Sequence, residues 1–130
     1  MTSKELSQLY YLNKEIKLYQ QRIKKLRDKA TNASASITGA PKSNSTKDIV
    51  GECASDIAQL WNLIEDNRKE AITAEINIQK YINSIEDSLT RLIFYYRYIE
   101  CLPWHSVAYK IGGNNTADSV RKAHERFLTK

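Results

Sequence analysis

A group of residues near the C-terminus, Asn114, Asn115, Thr116, Asp118, Ser119, Arg121, Lys122 and Arg126, has the side-chain chemistry needed to contact double-stranded DNA. Arginine and lysine reach phosphate oxygens or guanine edges, serine and asparagine donate or accept, and aspartate accepts from cytosine N4. If the segment is helical, Asp118, Ser119, Lys122, Glu125 and Arg126 share one face, with Arg121 at its edge. Ala117, Val120, Ala123, Phe127 and Leu128 then form the opposite, inward stripe, with His124 beside it helping to pack the helix. The unpaired N–H groups of the first turn suit a phosphate.

Such a face is useful only if neighbouring elements hold it outward. From Arg97 the chain reads RYIECLPWHSVAYKIGGNNTADSVRKAHERFL. Pro103 fits the first position of a helix, where its missing N–H costs nothing. Trp104, Val107, Ala108 and Ile111 fall on one side of that helix. Gly112 follows the last apolar residue, where a left-handed cap is expected. Asn115 or Thr116 caps the next helix. Upstream, Ser84 with Asp87 three residues on starts another helix, striped by Ile85, Leu89, Leu92, Ile93 and Tyr96. The expected product is a trihelical helix-turn-helix domain over 84–130.

The rest of the chain reads as paired helices. Only four Gly and two Pro occur in 130 residues, which favours helix throughout. Thr2 and Glu5 form a capping-box pattern. Leu9, Leu12, Ile16, Tyr19, Ile23, Leu26, Ala30 and Ala33 then alternate in steps of three and four, a heptad seam. Positions 36–46 carry Gly, Pro, Ser, Asn and Thr and read as a linker, with a second helix starting near Ser45 or Thr46. Val50, Cys53, Ile57, Leu60, Ile64, Asn67, Ala71, Ala74, Ile78, Tyr81 and Ile85 repeat the seam, with Asn67 as its polar member. Trp61, Leu63, Ile72, Ile76 and Ile82 lie off it and imply a further packing partner. A break is expected near Asn83 and Ser84. The fold class is therefore all-α: an antiparallel helical hairpin or coiled coil over 1–83, then the helix-turn-helix domain.

Charge is divided along the chain. The overall formal charge is +5, but residues 1–47 carry +7, residues 48–83 carry −4 and residues 84–130 carry +2. Opposite signs suggest that the first two segments lie together. The basic face of the first helix reads chiefly as solvated, with DNA backbone as its alternative ligand.

Several function classes are disfavoured. There is no Gly-rich phosphate loop, nucleophile elbow or paired-carboxylate context, so an enzyme is not expected and no cofactor is implied. Cys101, His105 and His124 lack a fourth ligand and a zinc-type spacing. Cys53 and Cys101 are expected as reduced thiols, Cys53 in the apolar seam. No apolar run approaches the ~20 residues that span a bilayer. The charged, periodic N-terminus is not a signal peptide, so a cytoplasmic protein with no membrane partner is expected.

The run from Arg97 to Leu128 resembles region 4 of sigma-70-type factors: an R-Y element, a tryptophan-led helix, a Gly turn and a V-R-x-x-x-x-R-x-L-like helix. With the N-terminal helices, the chain resembles small phage-encoded transcription regulators of Gram-positive hosts, near the ArpU and RinA late-transcription regulators. The resemblance covers all 130 residues loosely and the C-terminal segment well. It implies a phage or prophage transcription regulator in the bacterial host cytoplasm, acting with host RNA polymerase. Asp118, Ser119, Arg121 and Lys122 fall where region 4 reads its promoter element, and Trp104 and Val107 fall in the supporting helix. No counterpart of sigma region 2 is present, so promoter melting is not implied. Two other readings compete. A small terminase-like protein would use the same domain for DNA packaging, and a coiled-coil adaptor would use Tyr95, Tyr96, Tyr98 and Trp104 to bind protein. The heptad helices also allow a homodimer.

Overall fold

A computed structural model of the chain describes residues 1–35 and 44–130, with side-chain surroundings over 1–33 and 48–130. Every regular element among the described residues is helical. In order these are α1 (Ser3–Leu6), α2 (Gln8–Ala35), α3 (Asn44–Asn83), α4 (Ser88–Phe94), a π-helical turn (Tyr95–Ile99), α5 (Trp104–Ile111) and α6 (Ala117–Leu128). They form two compact units, one of Met1–Leu12 with Glu70–Lys130 and the other of Asn13–Lys69.

The division does not fall at the expected boundary, 83/84. Leu6, Leu9 and Leu12 share one core cluster with Ala71, Ile78, Ile82, Ile85, Ile93 and Phe94. The first dozen residues and the end of α3 thus contribute to the same core as the C-terminal helices, because their apolar side chains have nowhere else to be buried. The Thr2–Glu5 capping box forms: Thr2 N donates to Glu5 Oε2 at 2.8 Å and Glu5 N to Thr2 Oγ1 at 3.2 Å. A turn at Ser7, whose hydroxyl donates to the Ser3 carbonyl at 2.8 Å, separates α1 from α2.

The heptad spacing of α2 is realised as written. Leu9, Leu12 and Ile23 are buried, and Ile16, Tyr19, Leu26, Ala30 and Ala33 are half-buried, while the residues between them are exposed. In the second unit Ile23 clusters with Leu60 and Ile64 of α3, with Ile16, Tyr19, Leu26 and Ile57 packed around them.

On α3 the seam holds from Cys53, a buried free thiol. Val50 is exposed instead, and Ile49 takes the inward position. Asn67 is half-buried, and its Nδ2 has no hydrogen-bond partner among the described residues. Of the off-seam residues, Ile82 is buried, while Trp61, Leu63, Ile72 and Ile76 are exposed.

Two boundaries differ from expectation. α3 already begins at Asn44, so 44–46 are helical rather than linker, and 36–43 lie outside the described residues. Asn, Ser and Thr serve helix starts as readily as turns, so composition alone misplaces this end. The break after Asn83 is present, but Asp87 caps α4, accepting from Thr90 N at 3.0 Å. Ser84 instead donates to the Tyr81 carbonyl at 2.6 Å and closes α3.

The inward side of α4 also differs from its expected stripe. Leu89 and Leu92 are exposed; Ile93, Phe94 and, beyond it, Tyr98 are buried. By the α-helical period Leu89 and Leu92 fall about 140–160° around the axis from Phe94, so with Phe94 turned inward both face solvent, while Tyr98, one turn on, follows it inward. Phe94 consequently lies at the centre of the core, with ring centroids of Tyr81, Tyr98, His124 and Phe127 at 6.2, 5.5, 5.2 and 5.3 Å. Phe94→Ala should lower unfolding free energy by about 3–5 kcal/mol, as a buried aromatic deletion does. Urea unfolding followed by far-ultraviolet circular dichroism measures it, and a loss below about 1 kcal/mol would deny Phe94 this central place.

Candidate functional site

α4, α5 and α6 pack on one another, and the connection between the last two determines how α6 is presented. α5 starts one residue later than expected. Pro103 is extended at the cap position (φ −67°, ψ 161°), and its carbonyl accepts from Ser106 N and Val107 N, both at 3.0 Å. Val107 and Ala108 are buried and Trp104 and Ile111 half-buried, as the spacing predicts.

The turn uses two glycines. Gly112 N donates to the Ala108 carbonyl at 2.9 Å and ends the helix. Its φ is positive, but its ψ of −159° is extended rather than left-handed helical. Gly113 follows with φ 65°. Asn115 Nδ2 donates to the Gly112 carbonyl at 2.8 Å and ties the loop across. Nothing lies within 4 Å of a Cβ built on Gly112, so a side chain there is opposed by backbone conformation rather than by crowding. Gly112→Ala should therefore cost about 1–3 kcal/mol. A thermal midpoint equal to that of the unsubstituted chain would show that the turn tolerates another geometry.

Thr116, not Asn115, caps α6. Its Oγ1 accepts from Ser119 N at 3.1 Å, while Ser119 Oγ accepts from Thr116 N at 2.8 Å. Val120 and His124 are buried, and Ala117, Ala123, Phe127 and Leu128 are half-buried. Asp118, Ser119, Lys122, Glu125 and Arg126 are exposed, with Arg121 half-exposed at the edge. The polar face therefore stands in solvent, and Asn114 is exposed beside it.

The arrangement on that face changes its electrostatics. Asp118 receives Arg121 Nη2 at 2.8 Å and Lys122 Nζ at 3.0 Å, and Arg121 Nη1 reaches Glu125 Oε1 at 2.9 Å. Hydrogen bonds from Lys122, then Arg121, hold the Asp118 carboxyl below its ordinary range. The bond to Asp118, then the charge of Glu125, pushes Arg121 upward. Residue types alone showed a cationic face; the geometry shows one whose charges are largely paired. Arg126 has no ion pair among the described residues. Ser119 and Thr116 spend hydrogen-bonding capacity on the cap, leaving less for a ligand.

Sequence reasoning assigned no role to the outer side of α5. Tyr109 is 84 % exposed there, with His105 and Lys110 also exposed. Only tertiary packing distinguishes these positions from the buried side. Among the described residues no three His, Cys, Asp or Glu side chains converge as a metal site. Cys101 is half-buried and its thiol is pushed up, mainly by burial. It adopts a positive φ of 56° where a glycine is usual, closing the π-helical turn as Leu102 N donates to the Tyr96 carbonyl at 3.0 Å. Arg97 steadies this turn: Nη1 donates to the Leu102 carbonyl at 3.0 Å, and the guanidinium lies 4.3 Å from the Trp104 ring centroid.

His124 fastens α6 from behind. Its Nε2 hydrogen-bonds with the Tyr98 hydroxyl, and the Trp104 ring lies 4.9 Å away, centroid to centroid. Nδ1 is buried without a partner among the described residues. A neutral ring that donates from Nε2 leaves Nδ1 a bare acceptor, which is cheaper to bury than a bare N–H. Burial, then the Arg97 charge, lowers the His124 pKa to about 4, against an opposing pull from Glu125. The unfolded ring titrates near 6.5. Its folded pKa is depressed, so the stability it contributes is present above pH ~6.5 and lost as pH falls toward ~4, by up to about 3 kcal/mol. The difference in urea stability between the unsubstituted chain and His124→Phe should shrink across that window; a pH-independent difference would contradict a neutral buried His124.

No protein-family model, curated protein or solved structure matches the chain. No helix among the described residues is long and apolar enough to cross a membrane.

Proposed function

We propose that the chain is a sequence-specific double-stranded-DNA-binding transcription regulator of phage or prophage genes, acting with the host RNA polymerase. In this reading α4 to α6 form a helix-turn-helix domain with α6 as its recognition helix, and α2 and α3 form an antiparallel helical hairpin. The observation that carries it is the presentation of α6. Its buried side is anchored through Val120 and His124, while Asp118, Ser119, Lys122, Glu125 and Arg126 remain in solvent directly after a tight two-glycine turn. Supporting the hairpin is an apolar cluster within one chain that joins Ile23 of α2 to Leu60 and Ile64 of α3.

The paired charges on α6 refine how it would act. A helix whose cations are held by its own carboxylates gives little sequence-independent attraction. Arg121 and Lys122 would be released where bases or phosphates compete with Asp118, a device that favours specificity over affinity. Arg126, without such a carboxylate, supplies the standing positive charge.

Duplex fragments selected from the encoding genome should converge on a promoter-proximal site. On that site Arg126→Ala should weaken binding by about 1–3 kcal/mol, and Lys122→Ala should weaken it too. Asp118→Asn should tighten binding to random duplex while narrowing the margin for the selected one. Unchanged binding in all three variants would remove α6 from the interface. Enrichment at a packaging start would favour the packaging role instead.

A further inference from the structure

We infer that the outer face of α2 is a second surface for the phosphate backbone of duplex DNA. The seam of Ile16, Tyr19, Ile23 and Leu26 is turned toward its apolar cluster. By the helical period Lys17, Lys24 and Lys25 lie opposite that seam, with Arg22 and Lys29 on one flank and Arg27 on the other. All six are exposed. None of the six forms an ion pair among the described residues, although Glu52, Asp56, Glu65 and Asp66 belong to the same compact unit. Glu65 pairs with Arg68 of its own helix at 2.9 Å, and Glu15 of α2 accepts from the Tyr19 hydroxyl at 3.2 Å. The opposite charges of the two segments, expected from sequence to lie together, are therefore not spent on neutralising this face. Asp28 is the acidic member of this face, one turn from Lys24 and Lys25 but in no ion pair among the described residues; Arg22 with Lys25, and Lys25 with Lys29, are like-charged neighbours one turn apart, an arrangement that weakens a helix unless an anion lies against it.

The contrast with α6 points to the ligand. Salt-sensitive affinity for DNA rises with the number of phosphates neutralised. On α6 both Arg121 and Lys122 are engaged with carboxylates, whereas the six α2 cations named above form no ion pair among the described residues. Lys17 to Lys25 spans about 12 Å of helix axis, a length over which a duplex presents roughly seven phosphate charges. A membrane surface fits less well. An interfacial helix needs a broad apolar face, but the seam of α2 is already covered and Leu18 is the one large aliphatic residue among the outer lysines.

The inference rests on the proposed DNA-binding function, and the test separates the two. Binding of the full chain to a random-sequence duplex several helical turns long is followed by fluorescence anisotropy across a potassium chloride series. Neutralising Lys17→Gln, Lys24→Gln and Lys25→Gln together should keep helicity and lower the log K against log salt slope by about 2.7, or about 0.9 per charge. Arg126→Gln should lower it by no more than about 0.9. If the triple variant loses helicity, Lys17→Gln and Lys25→Gln are read singly, each for its own decrement. A fully helical triple variant, or helical single variants, with an unaltered slope would overturn the inference; should Arg126→Gln then still weaken binding, the α6 reading survives. An unsubstituted chain that ignores duplex at every salt concentration overturns both, and so does one that ignores duplex but is retained on phosphatidylserine vesicles.

Discussion

Phe94 has no solvent-exposed surface, and rings from α3, the π-helical turn and α6 close around it. Without that cluster α6 has no fixed place, because its own inward residues are mostly small or half-buried. Phe94 and Tyr98, one helical turn apart, face the same core. The turn is closed by Cys101 at positive φ and steadied by Arg97, which also lies over Trp104 of α5. Two side chains of this turn, Arg97 and Tyr98, thus contact the two later helices, at Trp104 of α5 and His124 of α6.

Electrostatics divides the labour differently from composition. The C-terminal segment has the residue types of a DNA-reading helix, yet its carboxylates hold two of its three cations. The outer face of α2 looks like an ordinary solvated surface, yet Lys17, Arg22, Lys24, Lys25, Arg27 and Lys29 form no ion pair among the described residues. In the proposed reading the paired face serves discrimination, since its charges become available only to a competing partner, and the open face serves attraction at longer range. Ionic strength should act mainly on the open face, because exposed charges without short-range partners are screened most readily.

The burial of His124 shows why a neutral, partly unsatisfied group can be retained. Its Nε2 bond with Tyr98 links α6 to the π-helical turn. Charging the ring would place a cation in an aromatic pocket already near Arg97, which is why the site keeps it neutral. Asn67 is the corresponding polar residue in the second unit: its amide nitrogen, without a partner among the described residues, makes that layer of the seam less stable than its apolar neighbours.

Much was legible without coordinates. Steps of three and four identified the inward residues of α2 and nearly all of those on α3, because helix period and burial are local properties of the chain. The same logic correctly separated the buried from the exposed side of α6, and the Gly and Thr signals located its entry turn. The contribution of 1–12 to the C-terminal core was not legible, because an apolar stripe does not say which surface covers it. Phe94 and Tyr98 were missed because α4 has apolar residues on more than one side, and the period alone does not say whether Leu89 and Leu92 or Phe94 and Tyr98 turn inward. The pairing of Asp118 with Arg121 and Lys122 was missed because a count of charges does not report which rotamers meet. The sequence by itself determined the all-helical class and which side of each regular helix turns inward. Tertiary structure decided which elements share a core and which cations stand open, since both depend on contacts and side-chain geometries that no repeat along the chain encodes.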